Sequence, residues 1–296
     1  MTGPGTVDMA FDNLDPQGPA RNAEVAAYAE RALALSRAAL DRVDASFDIA
    51  YGPEPRQQLD IYRPKGRALS ALPVLLFLHG GRWRAGYKEW NAMMAPAVTE
   101  FPALLVSARY GLSPRFLFPT PLHDVLRALA WLHHNVARYG GDPNRIFAGG
   151  HSAGGHLSAL AVLRRDLHGE FGLPTAAIRG CFPMSGTMNF DLPEVTPGSE
   201  EEEIRRILLA DDRDAPLASP LRYAEGNRLP FFISYGEKDF PRVIATGKEM
   251  IAALKRQPCR LENLVFAGAG HFDTHLDVAR AESRWYPTVR SWMTED

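Results

Sequence analysis

The sequence predicts an α/β fold, a mostly parallel central sheet with helices on both faces and a small lid or cap. Three observations point there. Five short, continuously apolar runs, residues 74–78, 103–106, 146–148, 180–182 and 231–233, read as parallel strands covered on both sides. Helical patterns lie between several of them, and that alternation builds an open sheet. The stretch around Ser152 passes from strand to helix through a glycine-rich turn, with no room for a loop.

Bulk properties narrow the function classes. The 296 residues carry 33 Lys and Arg against 35 Asp and Glu, and 46% are hydrophobic, so nucleic acid is not an expected partner. A small-molecule substrate is. Cys181 and Cys259 are the only cysteines and are read as reduced thiols. The first residues have neither a basic patch nor an apolar run, and no later segment approaches ~18 uninterrupted apolar residues. The expectation is a cytoplasmic chain without a membrane span; nothing excludes a homodimer.

Taken in order, residues 1–21 form an extended or poorly ordered arm rich in Gly, Pro, Asp and Asn. Residues 22–43 place Val25, Tyr28, Ala32, Leu35 and Ala39 on one helical face. Residues 1–45 are therefore set apart as an arm and helix that can contribute to a cap, with the main domain at 46–296. Residues 47–51 and 59–62 largely alternate and predict a half-exposed antiparallel edge hairpin. Residues 264–266 are taken as one more buried parallel strand. A helix with Thr120 as N-cap and Pro121 in its first turn carries Leu122, Val125, Leu126, Leu129 and Leu132. Another carries Val243, Met250, Ile251 and Leu254. Between about 187 and 229 the alternation breaks, predicting a lid. There Ser199 and Glu202 fit a capping box, and the acidic run 200–203 is read as a solvated first helical turn.

The chemistry centres on Gly150-His151-Ser152-Ala153-Gly154, the G-x-S-x-G pattern of a nucleophile elbow. A serine hydroxyl attacks only when a base takes its proton, and the base must be oriented by a carboxylate. In this setting the partners follow in the order Ser, Asp, His. Asp239, just past the run 231–235, is the candidate acid; Glu237 is its nearest rival, and an ordinary helix N-cap is the plain alternative. His271, in Gly268-Ala269-Gly270-His271, is the candidate base, with His275 the other histidine beyond Asp239. Gly80 and Gly81 follow the first buried strand. Together with the Ala153 N–H they supply unhindered donors for an oxyanion hole. Trp83 is read first as packing beneath this loop, and Arg82 as a guanidinium able to meet a substrate carboxylate. Both are candidate substrate-binding residues. His133 and His134 adjoin on a helix and point apart, and no zinc-like spacing occurs, so no metal and no cofactor is expected.

Six matched elements carry a family resemblance. They are His79-Gly80-Gly81-x-Trp83, Arg109-Tyr110-x-Leu112-Ser113-Pro114, Gly140-Gly141-Asp142-Pro143, Gly150 to His156, Gly236-x-x-Asp239 and Gly270-His271-Phe272. Across residues 79 to 272 the chain resembles the α/β-hydrolase superfamily, in the branch of hormone-sensitive-lipase-like esterases and kynurenine formamidases. The resemblance implies Ser152, Asp239 and His271 as nucleophile, orienter and base, a hole from Gly80, Gly81 and Ala153, and an acyl-enzyme. Many lipase-like esterases have a third glycine where this chain has Arg82, and the H-G-G-x-W form is nearer the formamidases. Hydrolysis of carboxylic esters of small or aromatic acyl groups is the first expectation, and an arylformamidase the alternative; turnover of N-formylkynurenine against p-nitrophenyl esters separates them. A non-catalytic ligand cradle on the same fold is a third, separated by covalent labelling of Ser152.

Overall fold

The computed structural model describes residues 11–12, 14–67, 69–192 and 194–295. Residues 1–10 and 13 of the predicted arm, and Pro193 of the predicted lid, lie outside the described residues. Eight strands, β1 (Val43–Ala50), β2 (Gln58–Pro64), β3 (Leu72–Leu78), β4 (Leu104–Ala108), β5 (Gly141–His151), β6 (Ile178–Met184), β7 (Phe231–Lys238) and β8 (Leu261–Gly270), form one sheet in the order β1-β2-β4-β3-β5-β6-β7-β8. β2 pairs antiparallel with β1 and β4, and every other pairing is parallel. The expected hairpin is present, but β2 is buried inside it because β4 covers its other edge.

Continuous apolarity in β3 follows from burial on both faces. Val74, Leu76 and Leu78 pack with Leu126, Leu129 and Leu160 on one side, and Leu75 and Phe77 pack with Met93, Met94 and Trp285 on the other. The helices are α1 (Ala23–Ala39), α2 (Ala95–Glu100), α3 (Thr120–Asn135), α4 (Ala153–Leu163), α5 (Arg165–His168), α6 (Glu200–Leu208), α7 (Pro241–Leu254), α8 (His271–Asp277) and α9 (Tyr286–Thr294). All eleven residues of α4 are buried.

Four local expectations are corrected. Thr120 is the first residue of α3 and Pro119 its cap, because Pro121 occupies the first turn and no side chain is needed there. The run at 264–266 is no central strand: β8 is the edge, and Val265 is 37% exposed. Leu264 and Phe266 face the core while Val265 between them faces out, so β8 is covered on one side only. The described part of the arm is pinned down rather than loose. Phe11 is buried, the Gln17 amide bonds both the N–H and the carbonyl of Gly86, and Asp15 pairs with Arg109 at 2.7 Å. On α1, Leu35 is only partly buried against the core, and Ser36 beside it is fully buried, its hydroxyl donating to the Trp90 carbonyl.

Strand order explains where the site falls. β3, β5, β6, β7 and β8 are successive parallel neighbours, so the segments after their C-terminal ends line up along one edge. Leu78 is opposite Gly150, His151 opposite Met184, and Lys238 opposite Gly270. The glycine loop, Ser152, Ser185, Asp239 and His271 each come one or two residues after those ends.

Candidate active site

Ser152 adopts φ +55° and ψ −117°, a strained combination that lifts the hydroxyl from the turn between β5 and α4. The glycines make the turn possible. A Cβ on Gly154 would lie 2.2 Å from the Leu78 carbonyl oxygen, and one on Gly150 would lie 2.5 Å from the Gly154 backbone. Strand and helix meet too closely there for any side chain. The Ser152 N–H is held by the Met184 carbonyl at 2.9 Å.

His271 Nε2 lies 2.9 Å from Ser152 Oγ, and its Nδ1 lies 2.7 Å from Asp239 Oδ1. Burial by itself raises the Asp239 carboxyl, but bonds from His271, from the Ser185 hydroxyl and from the Gly236 N–H outweigh it and hold the group below the usual carboxylate range. An ionised Asp239 accepts a hydrogen bond from Nδ1–H, which fixes the tautomer with Nε2 bare to accept the Ser152 proton. Two plain alternatives are thereby displaced. Asp239 does not cap α7, whose cap is Phe240. Glu237 points elsewhere, accepting the Gly268 N–H at 2.7 Å. His271 is buried, and sits at the first turn of α8 rather than in a loop, because β8 runs unbroken to Gly270.

Gly80 lies against the serine: a Cβ there would be 3.1 Å from the Ser152 Cβ. Beyond it the chain keeps positive φ through Gly81, Arg82 and Trp83, a tight coil closed by Arg84 and Ala85 N–H bonds to the Gly81 carbonyl. Gly81 cannot be replaced freely, since its Cβ would lie 2.0 Å from the Ala85 oxygen. Ala153 is the first residue of α4, where backbone N–H groups lack intrahelical acceptors and the helix dipole favours negative charge.

Arg82 sits differently from expectation, whereas Trp83 packs beneath the loop as its first reading has it. The Arg82 guanidinium is not free; it meets Glu203 at 3.2 Å and Glu200 at 3.9 Å, both on α6. The acidic turn is therefore not merely solvated, since Glu201 also approaches Arg242 at 3.5 Å. Ser199 does cap α6, accepting the Glu202 N–H, while Glu202 reaches back to the Gly198 N–H. Trp83 is buried and donates its indole N–H to His156 Nδ1 at 3.1 Å. His156 in turn donates Nε2–H to the Ala218 carbonyl at 2.7 Å, so the loop is tied through α4 to residue 218 of the 187–229 insertion.

Several residues of the site carry no sequence signal. Ser185 and Thr274 stand beside Asp239 and His271, His151 donates to the His271 carbonyl at 2.9 Å, and His275 is buried between Tyr28 Oη at 2.8 Å and Asn91 Oδ1 at 3.0 Å. His275 is thus a support behind the base, not a rival to it. Among the described residues no group of three or more His, Cys, Asp or Glu is arranged to hold a metal ion, and no helix is long and apolar enough to cross a membrane. Both thiols are free.

Burial depresses His79 and His156 to about 4, His275 to about 3, and His151 well below the ordinary value. These groups stay neutral in the fold, whereas in the unfolded chain they take protons near pH 6.5. Stability is complete above pH 6.5 and falls as pH drops from there toward 4, by at most about 1.4 kcal/mol per histidine per pH unit. Asp60, raised to about 6 by burial, opposes this over part of the range. Urea midpoints at pH 7, 6 and 5 are expected to decline steeply. His156→Gln, which keeps one acceptor and one donor, should shed one proton's worth of that slope; an unchanged slope removes His156 from the account.

Fold and site geometry together define an α/β hydrolase with a Ser-His-Asp arrangement at the C-terminal edge of its sheet. Within that class the chain belongs to the BD-FAE family, whose model matches residues 59–253. It is 34% identical over 223 residues to the esterase LipQ of Mycobacterium tuberculosis (strain ATCC 25618 / H37Rv), covering 70% of this chain and 52% of that one. It is 29% identical over 244 residues to a probable isoprenylcysteine alpha-carbonyl methylesterase of Oryza sativa subsp. japonica, covering 77% and 57%. The chain thus spans about half the length of these curated relatives. Its fold matches a hyperthermophilic esterase from the archaeon Pyrobaculum calidifontis with a TM-score of 0.73 at 20% identity over 98% of this chain and 97% of that one. The carboxylesterase EstE1, cloned from a metagenomic library, matches with a TM-score of 0.72 at 22% identity over 91% and 96%.

Proposed function

We propose that this protein hydrolyses carboxylic esters of small or aromatic acyl groups through an acyl-enzyme on Ser152. One observation carries the reading: a hydroxyl, an imidazole and a carboxylate from positions 152, 271 and 239 are linked in line at 2.9 and 2.7 Å. Ser152 Oγ attacks the ester carbonyl while His271 Nε2 takes its proton. The N–H groups of Gly80, Gly81 and Ala153 receive the developing oxyanion. As the tetrahedral intermediate collapses, the alkoxide leaves with the proton from His271. Water, deprotonated by the same imidazole, then attacks the acyl-enzyme, releases the acid and restores Ser152.

The relatives' printed names are those of ester hydrolases, which favours ester over formamide, so the arylformamidase alternative is not carried forward. In this reading Arg82 and Trp83 shape the loop rather than touch substrate, and residues 187–229 form a lid fastened by the Arg82–Glu203 and Arg242–Glu201 pairs. The test is a fluorophosphonate probe with peptide mapping, run beside p-nitrophenyl acetate and N-formylkynurenine. One adduct per chain on the Ser152 peptide, with ester turnover exceeding formamide turnover, is expected. Adduct formation elsewhere, or none, would overturn the proposal.

A further inference from the structure

Only one oxygen of Asp239 faces His271. Oδ1 accepts the His271 Nδ1–H at 2.7 Å and the Phe240 N–H at 2.8 Å; Oδ2 accepts the Gly236 N–H at 3.2 Å and the Ser185 O–H at 2.6 Å. Short hydroxyl-to-carboxylate bonds of this kind are about twice as strong as neutral ones. Ser185 is buried and is the first residue beyond β6. It holds φ +51°, a left-handed conformation that a serine adopts only under constraint from its surroundings.

Proton accounting fixes the direction of these bonds. An ionised Asp239 has no hydrogen to give, so Ser185 is the donor. Thr274 Oγ1 lies 3.0 Å from Ser185 Oγ and 2.8 Å from the His271 carbonyl, and His151 donates to the same carbonyl. The Thr274 hydrogen therefore serves the carbonyl or Ser185 without competing for Asp239. Acid and base are joined directly, and Ser185 and Thr274 pack between them on the far side, where the one Thr274 hydrogen serves either the carbonyl or Ser185.

We propose that Ser185 is a positioning residue for the hydrolysis, holding Oδ2 so that the carboxylate plane cannot turn and His271 keeps Nε2 aimed at Ser152. The terminal torsion of an aspartate is broad, and without the Ser185 hydroxyl Oδ2 keeps only the longer Gly236 N–H bond at 3.2 Å, so the carboxylate turns more freely about the Phe240 N–H contact on Oδ1 and the imidazole follows it. A displacement well under 1 Å already degrades proton transfer from the serine. The inference rests on the hydrolase reading of Ser152, His271 and Asp239. The other titratable groups around the pair are His151 and His275, both neutral, Tyr28 behind His275, and Arg242 of α7, which reaches Thr187 two residues beyond Ser185.

The experiment compares the full-length chain with Ser185→Gly and Ser185→Ala on p-nitrophenyl acetate. Glycine accepts the positive φ without strain, so this variant isolates the hydroxyl from the backbone. Both variants should lose ~10–100-fold in kcat with KM within ~2-fold, the range expected for a hydrogen bond to a charged group. The acid limb of the kcat/KM profile should move to higher pH, because a carboxylate short of one donor holds the imidazolium more tightly. Wild-type kcat and an unmoved pH profile in Ser185→Gly would overturn the proposal, and so would insolubility of both Ser185 variants, which would mark a purely structural role. A parent protein that neither labels at Ser152 nor turns over ester defeats the hydrolase reading first, an outcome visible before any variant is made.

Discussion

Ser152→Ala is expected to lower kcat/KM on p-nitrophenyl acetate by at least ~10⁴-fold, with His271→Ala equal to it and the double variant no worse. The equality matters more than the size. Ser152 Oγ and His271 Nε2 share one proton across 2.9 Å, so either deletion ends the same step and removing both adds nothing. Additive losses would show that the two groups work independently. Asp239→Asn should cost a comparable ~10⁴-fold, for a different reason. An amide NH₂ in place of Oδ1 would face Nδ1 with a donor, forcing the ring into the tautomer whose Nε2–H points at Ser152. A ring so protonated cannot accept. Glu237→Gln should leave turnover near the parent value, since that carboxylate serves the Gly268 N–H. Residual activity in all of these variants would come from the loop amides.

Those outcomes concern four residues legible before any coordinates, because each belongs to a pattern with a backbone requirement. The elbow demands glycines where α4 meets β3 and β5, and Gly150 and Gly154 stand there. What escaped reading lacks such a requirement. Ser185 follows an apolar run as serines often do at strand ends, and nothing local announces that its φ is positive or that Asp239 lies 54 residues ahead. Tyr28 and His275 are separated by 247 residues, and only folding makes them neighbours. Arg82 reads as a substrate contact because charge on a site loop suggests a partner outside the protein. Its partners are the carboxylates of α6, in a segment whose path over the sheet no periodicity encodes. Residues 264–266 do not announce an edge strand, because three apolar residues look alike on an edge and in a core, and pairing decides which.

Lys88→Met should destabilise the fold by about 3–5 kcal/mol at pH 7, a large part of the 5–15 kcal/mol typical of a domain. The ammonium is wholly buried. It contacts Asp60 Oδ2 at 2.8 Å, Glu89 Oε1 at 2.6 Å and Asp48 Oδ1 at 3.0 Å. Burial opposes its charge, but the carboxylates of Asp60 and Glu89 outweigh that and raise its pKa. Methionine fills much the same volume, so the loss is electrostatic: two carboxylates are left buried with their neutralising charge gone. Because burial already raises Asp60 to about 6 with Lys88 present, removing the cation pushes it higher, and the variant should recover part of its deficit as pH falls from that higher value toward 6, below which the parent's Asp60 takes up its proton as well. Adding Asp60→Asn and Glu89→Gln should restore most of the remainder at pH 7, since the buried charges then vanish together. The site should feel the single change. Residues 88–94 also carry Asn91, which bonds the Phe77 carbonyl and supports His275 behind the base. Urea titration of the three proteins at pH 7 and 5.5 decides it; a Lys88→Met midpoint equal to the parent at both would show that water or a rearranged Arg109, now 3.9 Å from Glu89, already serves the carboxylates.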